Sequence, residues 1–240
     1  MDWEQAHSQV LYRGRNDSSF NLTLARGDLA WLKDLVQISH LLRTLDLNSN
    51  RIQQLGDSIQ SFKNLKILNL SHNKLTLISG SIGQLTKLES LLLQDNLLAS
   101  LPAQLTALSL LKTLDLSSNR FCQFPKQVCS LPNLEHLDLS TNQIDAIPDE
   151  VAHCNATEIN LNGNKIRLLN EALTRSPRLK ILRLDNNQVE LASITRAILA
   201  DSKICLLSVE NNPFTLKQLQ ERDGYEQYSD RYTSTKRKLI

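Results

Sequence analysis

Leucines recur along the chain in a fixed pattern with polar residues between them. In the stretch LKTLDLSSNRF, which begins at Leu111, Leu114 and Leu116 lie two residues apart, and Asp115 lies between them. Side chains two apart point to the same face of a strand, so the leucines share one face and Asp115 takes the other. Asn119 follows three residues after the second leucine. The pattern predicts a short strand followed by a fixed turn.

The same pattern returns about every 23 residues, as in LKILNLSHNKL from Leu65 and LEHLDLSTNQI from Leu134. Eight copies of the asparagine occur, with spacings of 23, 23, 23, 23, 22, 23 and 25, at Asn50, Asn73, Asn96, Asn119, Asn142, Asn164, Asn187 and Asn212. This period and these leucine positions are typical of a leucine-rich repeat. We therefore predict an α/β solenoid, a curved horseshoe with a parallel concave sheet and a convex side of short helical turns and loops.

The repeated asparagine has a physical explanation in such a solenoid. Each coil turns sharply after its strand, which leaves backbone N–H and C=O groups facing the interior. An amide side chain supplies both donors and an acceptor, so a ladder of asparagines can satisfy the turns of adjacent coils. We interpret all eight as structural residues.

The two ends of the array are predicted to be caps. Residues 1–19 suit a capping helix or a frayed end, residues 20–212 form one degenerate and eight clear repeats, and residues 213–240 form a cap with a basic tail. Subtracting 23 from the first clear repeat puts Leu22 and Leu24 at the strand positions of the degenerate coil. At the other end, six residues at helix-like spacing are expected to pack as a cap: Phe214, Leu216, Leu219, Tyr225, Tyr228 and Tyr232. The last eight residues, TSTKRKLI, are expected to be a loose tail.

The net charge and the positions of the cysteines limit which partners and which cellular compartment we expect. The formal net charge is only +2, with no basic stripe that would suit nucleic acid. Cys122, Cys129, Cys154 and Cys205 all lie within the array, whereas disulfide-bonded repeat proteins place cysteines in the caps. The first residues contain no apolar signal core. We therefore expect a cytoplasmic protein.

Catalysis and metal binding are not predicted. His136 with Asp115 and Asp138 resembles a general-base group, but neither a nucleophile nor a glycine-rich phosphate loop accompanies it. Cys122 and Cys129 are seven residues apart, and no histidine at metal-ligand spacing lies near them. We expect no catalytic residue, no cofactor and no metal site.

The outward side chains of the sheet are the default partner site of this architecture. They are polar and mildly acidic, which suits a partly basic protein segment. The predicted protein-binding residues on this concave face are Asp46, Ile67, Asn69, Leu92, Asp115, His136, Asp138, Arg183, Asp185 and Glu210. Within this set, Asp115, His136 and Asp138 are expected to be neighbours, and Ile67 with Leu92 are expected to form an apolar anchoring spot. Ordinary surface variation is the alternative explanation for both features.

The stretches SLPAQLTALSLLKTLDL and QFPKQVCSLPNLEHLDL resemble the 23-residue intracellular repeat class of the Ras-suppressor and Shoc-type scaffold proteins. In that class a convex helical turn follows a step such as Leu101-Pro102, whereas Leu55-Gly56 and Ile78-Ser79 lack the proline. The stretches RLKILRLDNNQVEL and ADSKICLLSVENNPF are similar to the family of leucine-rich repeat-containing protein 57. The resemblance implies a repeat array without an accessory domain and little about biochemical activity, and we expect a scaffold in intracellular signalling.

Two functions follow as expectations. The first is a monomeric, non-enzymatic scaffold that binds a protein partner on the concave face. The alternative is a peripheral membrane adaptor whose tail, through Lys236, Arg237 and Lys238, contacts anionic lipid weakly. The resembled family begins Met-Gly-Asn, which suits a myristoyl anchor, but Asp2 stands at the second position here, so we expect no such anchor. Self-association is a third reading.

Overall fold

The structure is a computed structural model. It describes residues 19–21, Val36 and residues 39–237. The described chain divides into two compact units. The first contains the described residues up to Arg120 together with Leu131–Asn133, and the second contains Phe121–Ser130 and the described residues from Leu134 onward.

In the first unit the strands are three residues long and pair in parallel, in chain order. They are β1 Ser19–Asn21, β2 Thr44–Asp46, β3 Ile67–Asn69, β4 Ser90–Leu92 and β5 Thr113–Asp115. From β2 onward, the central leucine of each strand lies opposite that of the next, as Leu68 lies opposite Leu91. This register keeps every central side chain on the buried face.

The second unit repeats this arrangement. Its parallel strands are β6 His136–Asp138, β7 Glu158–Asn160, β8 Ile181–Arg183 and β9 Leu206–Ser208. The central residues are again apolar and aligned, with Ile159 opposite Leu182. The strand periodicity that the sequence predicts is therefore present in both units.

Single helical turns cover the buried side of each unit. The 3₁₀ turns are Asp57–Ser61, Gly80–Gln84 and Ala103–Ala107 in the first unit, and Lys126–Ser130, Asp149–His153, Glu171–Arg175 and Leu191–Ser193 in the second. A π-helical turn, Ala197–Asp201, follows them. One short turn follows each strand from β2 to β7 along the chain, and two follow β8.

The turns without a proline step do not differ from the others. Gly56 and Ser79 precede five-residue turns with φ of −70° and −62°, close to the −70° of Pro102. Proline fixes this φ but is not required for it, since other residues adopt the same extended backbone.

The core of each unit lies between the strands and the turns. The central strand leucines are fully buried, for example Leu45, Leu68 and Leu91 in the first unit. Phe62 in the first unit and Phe121 in the second are the largest of the fully buried side chains. Burying one such side chain contributes about 1.5–3 kcal/mol, so stability comes mainly from stacking one coil on the next.

The degenerate first coil differs in register from the prediction. Strand β1 pairs Phe20 with Leu45, a separation of 25 residues, where the 23-residue period pairs Leu22 with Leu45. The shift of two residues keeps the same alternation of faces, because side chains alternate with a period of two. Leu22 and Leu24 themselves lie outside the described residues.

Two α-helices follow β9 in the second unit, α1 Leu216–Gln220 and α2 Tyr225–Arg237. Thr215 begins α1 with a capping box that includes Gln218. Leu219 and Tyr228 are buried, in keeping with the predicted cap, but the side chain of Leu216 is 64% exposed. The expectation of a loose tail is wrong up to Arg237, because α2 extends to that residue.

Candidate protein-binding face

The ladder asparagines connect the turns of adjacent coils within each unit. Asn96 donates from Nδ2 to the carbonyl oxygens of Leu70 and Leu93, at 3.0 and 3.1 Å, and its Oδ1 accepts from the N–H of Leu75 at 2.9 Å. The same three kinds of bond occur at Asn73, Asn119, Asn164, Asn187 and Asn212. Each amide therefore pairs backbone groups of its own coil and of the preceding one.

A residue in left-handed conformation precedes every ladder asparagine. The φ values are between 52° and 66° at Ser49, His72, Asp95, Ser118, Thr141, Gly163, Asn186 and Asn211. Glycine is the residue best suited to this conformation, but it occurs in this row only at position 163. The turn therefore holds seven non-glycine residues in a conformation that costs energy locally.

We call the outer face the side of each sheet formed by the first and third strand residues and by the second residue after the strand. The predicted residues on the outer face of the first unit are Asp46, Ile67, Asn69, Leu92 and Asp115. Those of the second unit are His136, Asp138, Arg183, Asp185 and Glu210. All ten are exposed or half-buried.

The acidic and amide residues that end the strands also hold their own turns. Asp138 accepts two hydrogen bonds on Oδ1, from the N–H of Ser140 at 2.8 Å and from its hydroxyl at 2.6 Å. Asp46, Asn69, Asp115 and Asn160 accept the N–H two residues ahead in the same way. Sequence reasoning did not identify this contact. Because Asp and Asn both make it through one oxygen, the position accepts either residue.

In the second unit, Glu158 joins two of the predicted residues. Its Oε1 accepts from Arg183 Nε at 2.8 Å, and its Oε2 lies 3.4 Å from Nδ1 of His136. Sequence reasoning did not include Glu158 in the site, although it occupies the first, outward position of β7. Reading that column of the repeat as well would have found it.

Two further carboxylates of this face bind neutral partners. Asp138 Oδ2 accepts from the amide of Asn160 at 2.9 Å. Asp185 accepts the hydroxyl of Ser208 at 2.6 Å and the N–H of Glu210 at 2.7 Å. These bonds orient the carboxylates without neutralising their charge.

In the first unit the apolar spot lies beside a polar group without a partner. Ile67 is 40% exposed, and Leu92 lies opposite Asn69 on the next strand. The Oε1 atom of Gln94, which follows Leu92 by two residues, is inaccessible to solvent and has no hydrogen-bond partner. Because the atom is enclosed by the protein, an external ligand does not reach it in this conformation.

Charges beside the outer face of the first unit are paired. Glu89 lies between Lys66 at 2.7 Å and Lys112 at 3.2 Å. Hydrogen bonds from these two ammonium groups lower the pKa of the Glu89 carboxyl below its usual value. His72 and Asp95 form another exposed pair at 2.8 Å. Exposed pairs contribute little to stability, so this edge is a solvated border.

Some predicted residues stay untested as a site. Asp115 belongs to the first unit, and His136 and Asp138 belong to the second, so their proximity stays a prediction. Lys236 is exposed on α2, Arg237 ends that helix, and Lys238 lies outside the described residues.

Over the described ranges, no group of three or more His, Cys, Asp or Glu side chains is placed to hold a metal ion. None of the helices found there is long and apolar enough to cross a membrane.

Comparison with known proteins decides the nature of the repeat. Residues 40–98 and 109–158 match the sequence family described as Leucine rich repeat. Both stretches are leucine-rich repeats. The predicted fold class, a leucine-rich repeat solenoid, is confirmed by this match and by the solved structures that the protein resembles. Such repeats are generally non-enzymatic scaffolds for protein interaction.

Three solved structures illustrate the similarity of this protein. The first is the ectodomain of the membrane receptor kinase GASSHO1/SCHENGEN3 from Arabidopsis thaliana in complex with Casparian strip integrity factor 2, with 25% identity and a TM-score of 0.61 over 74% of this chain and 22% of that one. The Arabidopsis receptor kinase HAESA, in complex with the peptide hormone IDA and the co-receptor SERK1, has 28% identity and a TM-score of 0.54 over 62% of this chain and 26% of that one.

The third is internalin C2 from Listeria monocytogenes, with 21% identity and a TM-score of 0.64 over 80% of each chain. At this identity the likeness concerns the fold alone. This protein spans about a quarter of the length of the two plant receptors that it matches.

Proposed function

We propose that this protein is a non-enzymatic scaffold that binds a basic segment of a protein partner along the outer face. The observation that carries the proposal is an excess of carboxylates without cationic partners. Among the described residues of that face, Glu158 has an ion pair with Arg183, and its other oxygen lies 3.4 Å from Nδ1 of His136. Asp46, Asp138, Asp185 and Glu210 have no ion pair within the same described part of the chain. Lysine and arginine side chains of a partner would complement them.

The local hydrogen bonds support this assignment, because they fix the carboxylates before any partner arrives. One oxygen of Asp138 is held by Ser140, so the position of the charge is set by the turn. Binding of a partner then costs little side-chain entropy in this protein, which favours affinity. Ile67 and Leu92 add apolar surface against which a partner side chain can pack.

We also assign the protein to the 23-residue class of Ras-suppressor and Shoc-type scaffolds, acting in a reducing compartment such as the cytoplasm. The five-residue turns that follow Leu101-Pro102 and Ile147-Pro148 fit that class. Cys129, Cys154 and Cys205 are buried and form no disulfide in the described chain. Proteins in a reducing compartment keep their cysteines as thiols, which agrees with this assignment.

The test is removal of charge without removal of structure. Asn69 and Asn160 occupy the same strand-end position as the aspartates and accept the same backbone N–H, so Asp46→Asn, Asp115→Asn and Asp138→Asn together remove three charges and keep the turns. Proximity labelling with mass spectrometry compares this triple variant with the wild type. We expect the specific partners to fall about tenfold or more in enrichment.

The matched control removes three carboxylates that are exposed outside the outer face: Asp145→Asn, Glu171→Gln and Glu221→Gln. It leaves the partner set unchanged if the outer face is the working surface. An unchanged partner set in the outer-face variant, with both variants folded by circular dichroism, would refute the proposal.

A second candidate function is a peripheral membrane adaptor, favoured by the end of α2. Tyr232 and Lys236 are exposed and lie four residues apart, on one side of the helix. On a bilayer surface, the aromatic ring can lie among the lipid headgroups while the cation contacts anionic lipid. Each basic residue contributes about 1 kcal/mol near an anionic surface, so binding would be weak.

Sedimentation with phosphatidylserine-containing vesicles tests the adaptor function. The second function requires that neutralising Lys236, Arg237 and Lys238 to glutamine abolishes co-sedimentation. Absence of vesicle binding by the wild type rejects it and leaves the scaffold function unaffected.

A further inference from the structure

A groove of about 700 Å³ lies in the second unit, between strand β9 and the helices that follow it. Its apolar walls come from the cap: Leu216 and Leu219 of α1, and Tyr225, Tyr228 and Tyr232 of α2. Leu216 and Tyr232 are 64% and 39% exposed, although two other cap residues, Leu219 and Tyr228, are buried. Its volume falls in the range of about 300–1,000 Å³ that is typical of ligand sites.

The floor of the groove presents no unsatisfied backbone polar group at its centre. The N–H of Leu207 donates to the hydroxyl of Tyr228 at 3.0 Å, and that hydroxyl donates to the Leu207 carbonyl at 3.4 Å. The edge of β9 is therefore already occupied at this point, so a ligand does not add there as another strand. The groove suits an apolar side chain instead of a peptide backbone.

The aromatic rings of the wall contact one another. The Tyr225 and Tyr228 ring centroids are 5.7 Å apart, and those of Tyr228 and Tyr232 are 6.4 Å apart. Rings at these separations interact favourably. Such contacts restrict the rings before binding and so lower the ordering cost of binding.

The rim of the groove is continuous with the outer face. Arg183, Ser208 and Glu210 line the groove and also lie on the outer face. Arg183 is held by Glu158, whereas Glu210 is exposed without an ion pair in the described part of the chain. The unbalanced charge at the rim is therefore negative.

We propose that this groove binds an apolar side chain of the same basic partner segment, with an adjacent lysine or arginine of that segment directed to Glu210. The inference rests on the proposed function, since the outer face brings the basic segment to the rim. It adds the chemistry of the partner: an extended segment in which a large apolar residue, such as phenylalanine or leucine, is next to a cation. The groove acts as the anchor pocket, and the outer face supplies the charge complementarity.

The probe is the synthetic peptide GSGFKGSGKGK, titrated into the ¹⁵N-labelled full chain and followed by NMR. Two relatives isolate its determinants: GSGAKGSGKGK lacks the apolar side chain, and GSGFEGSGKGK reverses the adjacent charge. We expect amide shifts at residues 206–211 and 225–232 with the first peptide. Each relative should bind about tenfold more weakly, as the loss of one buried side chain or one charge contact predicts.

Matched variants locate the site. Leu216→Ser removes an exposed leucine of the groove, and Leu168→Ser removes a 60% exposed leucine of the same unit outside it. Glu210→Gln removes the rim charge, and Glu226→Gln removes an exposed charge of α2 that does not line the groove. We expect weaker peptide binding for the groove member of each pair and wild-type binding for the other.

Several outcomes overturn the inference. Equal binding of the phenylalanine and alanine peptides, or equal effects of Leu216→Ser and Leu168→Ser, excludes an apolar anchor in the groove. The same amide shifts with phosphatidylserine vesicles, and none with the peptide, assign the groove to a lipid surface. If the peptide with glutamate in place of lysine binds with the same affinity, Glu210 does not contact a cation of the partner.

Failure here and failure of the scaffold function have different signatures. The Asp46, Asp115 and Asp138 substitutions lie outside the groove lining, and Leu216 lies outside the outer face. Partners lost with the three aspartates but kept with Leu216→Ser leave the outer face valid and reject the groove. Partners kept in the aspartate variant reject the scaffold function even when the peptide binds the groove.

Discussion

Two columns of asparagine and aspartate run through the repeats, and their surroundings differ. The ladder column, represented by Asn96, is buried, and each amide bonds two successive coils. The strand-end column, represented by Asp138 and Asn160, is half-buried and bonds the turn of its own coil through one oxygen. The ladder needs a donor and an acceptor at every coil, so the residue is invariant within this chain. The strand-end column needs one acceptor at most, since Leu92 and Arg183 also occupy it, and this leaves the charge free to vary.

The difference separates positions that maintain the fold from positions that can carry recognition. A ladder residue cannot change without disturbing its neighbouring coil. A strand-end residue can alternate between Asp and Asn, as it does between Asp46 and Asn69, without losing the turn. The predicted effects of substitution should therefore fall steeply from the first column to the second.

The largest effect is expected for Asn96→Asp, which keeps the shape of the side chain. The substitution replaces the donor amide with an oxygen that faces the carbonyls of Leu70 and Leu93, and it buries a charge. An uncompensated buried charge costs about 3–5 kcal/mol, so the free energy of unfolding should fall by about that amount at pH 7. Urea denaturation measures it. A loss below about 1 kcal/mol would show that the ladder can do without its donors.

An intermediate effect is expected in the left-handed row that precedes the ladder. Gly163 has φ of +66°, and an added Cβ would meet its neighbours at 3.6 Å or more, so Gly163→Ala strains the backbone without a clash. We expect a loss of about 1–2 kcal/mol. Thr141→Gly, at the equivalent position with φ of 54°, should stabilise the protein instead. Thermal unfolding of the two variants gives the signs, and equal signs would contradict the backbone explanation.

A smaller effect is expected at Tyr228, whose hydroxyl pairs with the backbone of the last strand, β9. Tyr228→Phe leaves the Leu207 N–H unpaired and should cost about 1 kcal/mol. Burial raises the pKa of Tyr228, so its stabilising effect is present below the unfolded pKa, near 10, and is lost as pH rises through the folded value. The free energy of unfolding of the wild type should therefore fall as the pH rises above about 10.

The phenylalanine variant is its own control for that titration. Since phenylalanine does not ionise, the loss of stability between pH 9 and pH 11 should be smaller in Tyr228→Phe than in the wild type. An identical slope in both proteins would show that Tyr228 does not contribute to the alkaline transition.

The smallest effect is expected for Asp46→Asn, which changes the free energy of unfolding by less than about 0.5 kcal/mol. The amide oxygen retains the bonds from Asn48, as Asn69 does with Ser71. Asp46→Ala, which removes the acceptor, should cost about 1 kcal/mol. A large loss in the asparagine variant would show that the charge itself stabilises the coil.

The sequence predicts the repeat because one period appears in two independent signals. The leucine spacing indicates the buried side of each strand, and the asparagine spacing indicates the turn. Both are local requirements of every coil, so eight copies confirm one another. The same reasoning is weaker at the first coil, where the strand pairs Phe20 with Leu45 after 25 residues. With one degenerate copy, the period alone could not fix its register.

The candidate site is less predictable, because side-chain partners are not part of the period. The sequence does not single out Glu158, although it bonds Arg183, because the repeat period specifies a strand position and not the partner of its side chain. The hydrogen bond of Asp138 to its own turn is likewise invisible in a list of charges. Leu216 was expected to pack but is exposed, because helical spacing alone does not specify which side of α1 meets the core.

The bonds of the ladder also set how the chain finds its fold. Asn96 bonds residues 21 and 26 positions earlier, and Asn187 does the same, which is about a tenth of the chain length in each case. Closing a loop of that size costs little entropy and costs the same at every coil. Chains with such short-range contacts fold quickly, and folding can nucleate at any pair of coils and propagate to the next. A chain shortened by one terminal coil should therefore lose one step of propagation and keep its folding rate.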